Sequence, residues 1–167
     1  MSRLDSFIRR LEAQRACLDL AARQIADLRG PVLEVGLGNG RTYDHLRERL
    51  PLREIFVFER DVRAHPSCLP DPAHLLLGDL HDTLPDARRR LPGLAALAHA
   101  DIGNGDALAT AQLAGWLAAA LPALLANGAW VVADQPLEER TLVPQALPAG
   151  VEPKRYFLYR HLTERES

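Results

Sequence analysis

The first segment of the chain, residues 1–29, carries hydrophobic side chains spaced three and four residues apart, while most of its arginines fall on other faces. The hydrophobic positions are Leu4, Phe7, Ile8, Leu11, Leu18, Ala21, Ala22, Ile25 and Leu28. This periodicity predicts one or two amphipathic helices, which end at Gly30 and Pro31.

After Pro31 the pattern changes to short apolar runs separated by segments that are compatible with helix. Strands are predicted at 32–35, 54–58, 75–77, 95–101 and 129–133, and helices over 41–50 and 108–125, the second interrupted at Pro122. Strands that alternate with helices form βαβ units around a mostly parallel sheet, and right-handed crossovers place helices on both faces. The predicted fold class is therefore α/β, with a doubly wound sheet.

Prolines break residues 135–153 into loops or very short elements. Arg155 to Leu162 then alternates in a way that favours a last, antiparallel edge strand, and its apolar edge near Tyr156–Tyr159 would suit a homo-oligomer. The length fits one domain, with a helical segment at 1–29, a core at 30–136 and closing loops and a strand at 137–167.

Composition narrows the choice of partners and compartment. Hydrophobic residues make up 47% of the chain and charged residues 25%, as in globular proteins, and the net charge of −2 argues against a nucleic-acid partner. Cys17 and Cys68 lack the spacing of a zinc site or a disulfide framework. Because residues 1–29 are too charged for a signal peptide and no apolar run approaches a membrane span, we expect a cytoplasmic protein without a membrane partner.

The most informative segment is Val32-Leu-Glu-Val-Gly-Leu-Gly-Asn-Gly-Arg-Thr42, where a predicted strand meets glycines at 36, 38 and 40 and then a helix. Such glycines permit positive φ and let a ligand approach the backbone, although a tight turn without a ligand is the alternative. A dinucleotide fold requires a third glycine where Arg41 stands, and a Walker loop requires a lysine that Gly40-Arg41-Thr42 lacks.

With Glu34 two residues before the first glycine, the segment resembles the first motif of the class I S-adenosylmethionine-dependent methyltransferases, acidic-x-Gly-x-Gly-x-Gly. The resemblance covers roughly residues 29–136 and is greatest to small bacterial members of unassigned substrate. The departures are a single clear closing strand and the lack of an inserted cap on the substrate side. The resemblance implies a Rossmann-like methyltransferase fold and S-adenosyl-L-methionine as cofactor, with S-adenosyl-L-homocysteine as product.

The resemblance also implies particular contacts. Glu34 is expected near the cationic amino group of the ligand, with free backbone N–H groups of the glycine turn near its carboxylate. Glu59 is expected to accept the ribose hydroxyls, Asp79 the adenine amino group, and Leu80 to flank the adenine ring. The full set of expected cofactor-binding residues is Glu34, Gly36, Leu37, Gly38, Asn39, Gly40, Thr42, Tyr43, Glu59, Arg60, Gly78, Asp79, Leu80, Asp101 and Ile102.

Catalytic residues remain candidates at this stage. Methyl transfer is an in-line displacement at a sulfonium methyl, so the protein mainly aligns the acceptor and excludes water. Asp101 and Asn104 follow the fourth strand and should face the methyl, unless they belong to a turn in which Asp106 caps the next helix. His81 is the best-placed candidate general base. The alternative is that it is an ordinary histidine of a loop.

Two further groups have opposed interpretations. Arg9, Arg10 and Gln14 on the first helix could fold over the cofactor, but a solvated helix face is preferred. Some O-methyltransferases of this superfamily hold magnesium with an Asp ending strand four and an Asp-Asn pair ending strand five. Asp101 and Asp134-Gln135 resemble that arrangement, with Gln in place of Asn. A metal-free site is expected, and these three residues are the candidate magnesium ligands of the alternative.

The sequence thus predicts a methyltransferase that acts on a small-molecule acceptor with S-adenosylmethionine. One alternative is a non-catalytic S-adenosylmethionine-binding protein. Another is an NAD-binding oxidoreductase, which Arg41 and the lack of a substrate domain disfavour.

Overall fold

The computed structural model describes residues 2–163 and begins with one long helix, α1 (Arg3–Gln24). A capping box starts this helix, since the Ser2 hydroxyl accepts from the Asp5 amide at 3.0 Å and the Asp5 carboxylate accepts from the Ser2 amide at 3.1 Å. The first apolar stripe therefore belongs to one helix rather than two. Its buried residues are Ala13, Gln14, Cys17, Leu18 and Ala21.

Seven strands form one sheet. They are β1 (Val32–Val35), β2 (Ile55–Glu59), β3 (Leu75–Leu77), β4 (Ala95–Ala100), β5 (Leu125–Ala133), β6 (Leu142–Pro144) and β7 (Phe157–His161). The order across the sheet is β3-β2-β1-β4-β5-β7-β6, in which β1 to β5 are parallel, β7 is antiparallel to β5, and β6 is antiparallel to β7. The other helices are α2 (Arg41–Arg49), α3 (Leu80–Ala87) and α4 (Ala107–Ala120), with 3₁₀ turns at Pro66–Cys68, Pro72–His74 and Leu121–Leu124.

Helices cover both faces of this sheet, which confirms the predicted doubly wound α/β fold. Every residue of the central strands β1 and β4 is buried, as the near-continuous apolar runs of a parallel sheet require. One hydrophobic cluster packs α3 and α4 against the sheet through Leu84 and Leu117, and a second packs α1 and α2 through Leu18 and Leu46. The loops that follow β1 to β4 are thereby held together at one end of the sheet.

The closing part of the sheet contradicts the expectation of a single closing strand. β6 forms inside the proline-rich stretch and pairs with β7, and Pro144 is tolerated because an edge strand needs no N–H on its outer side. β7 is therefore flanked by β5 and β6, and Tyr156 is fully buried. The predicted exposed edge near Tyr156–Tyr159 is wrong, so this strand does not offer a homo-oligomer an open edge.

Two predicted boundaries also shift. β5 begins at Leu125 and not at Ala129, because Asn127-Gly128 lies within the strand instead of forming a turn before it. The pairing of β5 with β4 is irregular at this point, between Ala95 and Leu97. α4 ends at Ala120, before Pro122 enters a 3₁₀ turn.

One segment corrects the expectation that no apolar run approaches a membrane span. Within residues 2–163, Ala107–Leu124 alone has the length and the mean hydropathy, 1.5, of such a span. This segment is α4 and the turn after it, and it packs on the sheet through Ala114, Leu117 and Leu121. Its composition is therefore that of a helix that contributes to the core of this fold.

The strand order reverses between β1 and β4, so the loops after these two strands leave in opposite directions. In open α/β sheets this is the point at which a crevice opens beyond the carboxyl ends of the strands. The predicted site residues follow β1 to β4 and so fall around this crevice.

Candidate functional site

The turn between β1 and α2 forms the floor of the crevice. Gly36 has φ +90°, and a Cβ there would lie 2.5 Å from the carbonyl oxygen of Asp101, so the position requires glycine. Gly38 has φ +52°, and a Cβ there would meet no atom within 4 Å among the described residues. The backbone at Gly38 therefore faces open space, where a ligand can approach it closely.

Glu59, at the end of β2, is held against this turn by four backbone amides. Its Oε2 accepts from Leu37 at 2.9 Å and Gly38 at 3.1 Å, and its Oε1 accepts from Arg60 at 2.7 Å and Asp61 at 3.0 Å. The carboxylate is thus fixed at the mouth of the crevice, and a ribose diol would have to share its oxygens. The amides of Leu37 and Gly38 are therefore occupied, which corrects the expectation of free backbone N–H groups at these two positions of the turn.

Asp79 begins α3 as its N-cap. Its Oδ1 accepts from the amide of His81 at 2.9 Å and lies 2.9 Å from Nδ1 of the same residue. The backbone and side-chain hydrogen bonds from His81 lower the pKa of this carboxyl group, so it is ionised at neutral pH. Among residues 2–163, Oδ2 has no hydrogen-bond partner, so it remains available to an amino group such as that of adenine.

These carboxylates border a cavity of about 440 Å³ beyond the ends of β1 to β4. It brings together most of the residues that the sequence places at the adenosyl end. The predicted residues that line it are Gly36, Glu59, Arg60, Gly78, Asp79, Leu80, His81, Asp101, Ile102 and Asn104. The adenosyl-binding constellation expected from the sequence is therefore assembled in one place.

Glu34, in contrast, does not reach the crevice. The side chains of Glu34 and His99 are both fully buried, directly opposite each other on β1 and β4, with Nδ1 of His99 2.8 Å from Oε2 of Glu34. The hydroxyl of Thr42 donates to the other carboxylate oxygen. The expected contact between Glu34 and the ligand amino group is wrong, because the side chain is buried beneath the turn and both carboxylate oxygens already have partners in His99 and Thr42.

The charge of this buried pair depends on His99. Burial by itself lowers the pKa of His99, but the adjacent Glu34 carboxylate, with smaller contributions from Asp101 and Asp134, outweighs burial and raises it. The Glu34 carboxylate thus favours the protonated form of the imidazole. Sequence analysis missed His99, although it is the one strongly polar side chain in the apolar run Ala95–Ala100 and pairs in register with the one polar residue of β1.

The side of the crevice next to Asp101 is built by α1. Arg10 donates from Nη2 to Oδ1 of Asp101 at 2.7 Å, and Gln14 donates to Oδ2 of the same carboxylate at 3.1 Å. Gln14 also donates to the hydroxyl of Tyr156 at 2.5 Å, and burial foremost raises the pKa of that hydroxyl, so it stays protonated. The preference for a solvated helix face is wrong for Arg10 and Gln14, whereas Arg9 pairs at the surface with Glu152.

A second cavity, of about 270 Å³, lies between α1 and the glycine turn. It shares Gly36 and Asp101 with the first cavity, so the two are parts of one crevice. Its predicted lining residues are Gly36, Leu37, Gly38, Asn39, Thr42 and Asp101, and it adds Phe7, Arg10, Leu11, Gln14, Arg41 and Gly103. Of the predicted cofactor residues, Glu34, Gly40 and Tyr43 line neither cavity.

Those exceptions have packing roles. Tyr43 is buried in the cluster between α2 and the sheet, and a Cβ on Gly40 would lie 2.5 Å from Cβ of Cys68. Asn104 faces the first cavity, but its side-chain oxygen accepts from Asp106 and Thr110, both at 3.0 Å, and Asp106 caps α4. The capped-turn alternative for Asn104 and Asp106 is therefore the arrangement observed.

The magnesium alternative does not fit the side chains. Asp134 is almost fully buried, and its carboxylate accepts from the amides of Ile102 and Gly103 and from the side chain of Gln135. The guanidinium of Arg10 lies 2.7 Å from Asp101 and 3.9 Å from Asp134, so a cationic side chain already stands where the ion would. Residues 2–163 contain no group of three potential His, Cys, Asp or Glu ligands.

A larger cavity, of about 760 Å³, opens at the opposite end of the sheet around Arg29, Leu52 and Leu94. None of the motif residues lies there. Arg53 crosses its wall and donates to the carbonyl oxygens of Ile25 at 2.6 Å and Gly30 at 2.9 Å, which joins the end of α1 to the start of β1. Since ligands of open α/β sheets bind at the carboxyl ends of strands, the crevice is the better candidate.

A family profile described as S-adenosyl-L-methionine methyltransferase matches residues 1–161. The chain belongs to this methyltransferase family. Its methyl donor is S-adenosyl-L-methionine, and the NAD-binding alternative is excluded. A crystal structure of an S-adenosyl-L-methionine methyl transferase from Silicibacter pomeroyi DSS-3 is 43% identical in sequence, with a TM-score of 0.91 over 96% of this chain and 99% of that one.

More distant structures resemble this methyltransferase only loosely. An O-methyltransferase family protein from Burkholderia thailandensis is 14% identical with a TM-score of 0.47, covering 90% of this chain and 56% of that one. Cofactor-bound Rv0187 from MTB is 18% identical with a TM-score of 0.45, covering 74% and 54%. No curated protein sequence matches the chain.

The residues present fit an S-adenosylmethionine ligand. Gly38 leaves open space beside the backbone, Asp79 presents an oxygen without a partner among the described residues, and Glu59 is fixed between them. A fixed carboxylate at the end of β2 suits a ribose diol and not a phosphate. The crevice of the methyltransferase thus consists of a polar compartment beside Glu59 and Asp79 and a second compartment under α1.

Proposed function

We propose that this methyltransferase transfers the methyl group of S-adenosyl-L-methionine to a small-molecule acceptor that enters beside α1. The observation that carries the proposal is the division of the crevice. The nucleoside half has about 440 Å³, and the compartment under α1 has only about 270 Å³ for the methionyl chain and the acceptor. A net charge of −2 further disfavours an RNA acceptor.

In this proposal Glu59 binds the ribose hydroxyls, Asp79 the adenine amino group, and Leu80 the adenine ring. The remaining backbone and side-chain contacts come from the residues of Gly36–Asn39, from Arg60, Gly78 and Ile102, and from Asp101 at the methionyl end. The bound cofactor supplies an activated methyl on a good leaving group. The protein contributes alignment and exclusion of water, for which Phe7 and Leu11 provide apolar wall beside the turn.

No general base is assigned. His81 stands beside Asp79 at the proposed adenine end, with its ring centroid 4.2 Å from that of Trp116, and Asn104 caps a turn. Asp101 opens to both cavities but is neutralised by Arg10. Of the three sequence candidates, Asp101 is the one that we place next to the reacting end, as a binding group.

The test is transfer of labelled methyl from S-adenosylmethionine to fractionated acceptors. We expect S-adenosylhomocysteine formation and label in the low-molecular-mass fraction of a metabolite extract, and a marked decrease of both with Glu59→Gln at cofactor concentrations that do not saturate the variant. The exposed neighbour Asp61, which pairs with Arg63, offers the control Asp61→Asn. Label found only in RNA or protein would contradict the small-molecule proposal, as would tight cofactor binding without transfer to any fraction.

We also propose a cytoplasmic location, which the two free cysteines support. Cys17 is buried in the core, where burial raises the pKa of its thiol to about 12, and no disulfide joins it to Cys68. Cell fractionation tests this location, and recovery of the protein in a membrane or extracellular fraction would contradict it.

A further inference from the structure

The compartment under α1 contains one cation that is held in place and one that is not. Arg10 lies on α1 with its side chain 42% exposed, and Asp101 fixes it at 2.7 Å while Asp134 lies at 3.9 Å. Arg41 also lines the compartment, but it is exposed, and its side chain has no ion pair within residues 2–163. Arg10 is therefore the pre-positioned cation of the two.

Most backbone amides of the glycine turn are already occupied, because Glu59 accepts the N–H groups of Leu37 and Gly38. The amide of Gly36 donates to Phe58 and that of Gly40 to Leu37. Among residues 36–40 of the described chain only the amide of Asn39 has no acceptor, so a ligand carboxylate in this compartment needs a side chain as its charged partner. Asp101 and the buried Asp134 would repel it, so the attraction must come from Arg10, whose guanidinium has five N–H donors suited to a carboxylate.

Asp101 supplies the opposite charge. Its oxygens accept from Arg10 and Gln14, and each oxygen of a carboxylate has a second lone pair for a further donor. A guanidinium and a carboxylate held next to each other complement the carboxylate and ammonium of a zwitterionic amino acid. The methionyl end of S-adenosylmethionine carries both groups.

We propose that Arg10 binds the α-carboxylate of the methionyl group of S-adenosylmethionine and that Asp101, which anchors Arg10, faces its ammonium group. This assignment rests on the proposed orientation of the cofactor. It makes α1 the element that distinguishes the complete cofactor from an adenosyl thioether without the amino-acid end. The rigid network behind Asp101, formed by Gln14 and Tyr156, fixes the geometry.

The experiment compares two ligands by isothermal titration calorimetry. S-Adenosylhomocysteine has the amino-acid end, whereas 5′-methylthioadenosine has the same adenosyl thioether without it. Arg10→Met should weaken S-adenosylhomocysteine binding by about 10- to 100-fold, the range for a charge-assisted contact, and leave methylthioadenosine binding unchanged. Arg10→Lys should recover part of the loss, because it restores the charge without the planar guanidinium.

Arg9→Met is the matched control, since Arg9 is adjacent in sequence and pairs at the surface with Glu152. It should change neither affinity. Equal weakening of both ligands by Arg10→Met would show a merely structural role and overturn the proposal, as would no weakening of either. Wild-type protein that binds neither ligand would refute the proposed orientation of the cofactor instead.

A measurement on the wild-type protein avoids dependence on the folding of a variant. The decarboxylated analogue of S-adenosylhomocysteine retains the ammonium and loses only the carboxylate. It should bind about 10- to 100-fold more weakly than S-adenosylhomocysteine. Equal affinity for the two would overturn the assignment of Arg10.

Discussion

The two halves of the crevice are built in different ways. In the nucleoside half, Glu59 and Asp79 stand at strand ends, are partly exposed, and are fixed by backbone amides that are close in sequence or in the adjacent turn. In the compartment under α1, which is proposed to hold the methionyl group, Asp101 is fixed by side chains of α1, and the buried Glu34–His99 pair lies beneath the turn. The first half is a set of local motifs, and the second is a network of side chains distant in sequence.

This difference determines how each half should respond to substitution. A carboxylate fixed by backbone amides at the surface can be changed with a cost mainly to ligand binding. A buried charge in a network cannot lose its partner without a cost to folding, because the remaining charge is left desolvated. Substitutions in the two halves should therefore be distinguishable by whether they lower ligand affinity or the stability of the fold.

The largest effect is expected from breaking the buried pair. Glu34→Ala leaves His99 without its counter-charge and should lower the free energy of unfolding by about 3–5 kcal/mol, measured by urea denaturation. The exposed Glu48 on α2 is the control, and Glu48→Ala should change stability by no more than about 0.5 kcal/mol. Equal effects of the two substitutions would contradict a buried ionic network under the turn.

Substitution in the nucleoside half should affect the ligand more than the fold. Glu59→Gln replaces an acceptor of four amide N–H groups and of the proposed ribose contact, so S-adenosylhomocysteine binding should weaken by about 10- to 100-fold. Calorimetry of the variant against Asp61→Asn checks this. Unchanged affinity with Glu59→Gln would show that the ribose lies elsewhere.

The pH dependence of stability should report His99. Its pKa is raised in the folded protein, so its contribution to stability is fully present below its unfolded pKa of about 6.5 and is lost as pH rises through the folded value. The difference in Tm between wild type and His99→Gln should therefore be largest in mild acid and shrink toward alkaline pH. A difference that grows with pH would mean that His99 is neutral when folded.

The smallest effect is expected at His81. Because His81 stands beside Asp79 at the proposed adenine end, away from the reacting methyl, we expect His81→Gln to change the turnover number by less than about threefold. A general base would account for about 10²- to 10⁴-fold. A loss of that size would contradict this expectation if the part of the pH–rate profile in which the rate increases with pH also disappeared. His81 would then be the catalytic base.

The same contrast explains what the sequence could predict. The glycines at 36, 38 and 40, Glu59 and Asp79 are encoded within single strand–turn units, so their spacing predicts the fold and the proposed nucleoside half. Arg10, Gln14 and Tyr156 meet only because α1 and the segment before β7 pack on the same strands. Periodicity indicates which face of α1 is apolar, but it does not indicate that Gln14 is buried on that face.

Other errors have similar physical causes. Glu34 matches a family motif, yet its role depends on His99 across the sheet, which only the β1–β4 register reveals. β6 is three residues long and contains a proline, so it has no strand signal of its own and exists because β7 offers it an edge. The magnesium alternative failed because a residue from α1 occupies the space between two carboxylates that are distant from it in sequence.

The central claim, that both halves of the crevice hold one S-adenosyl ligand, is tested most directly by amide hydrogen exchange with and without saturating S-adenosylhomocysteine. The account predicts slower exchange in peptides that cover residues 36–42, 59–61, 78–81 and 7–14, and no change around residues 26–31 and 52–54 at the opposite cavity. Protection confined to the opposite cavity, or no protection anywhere, would contradict it.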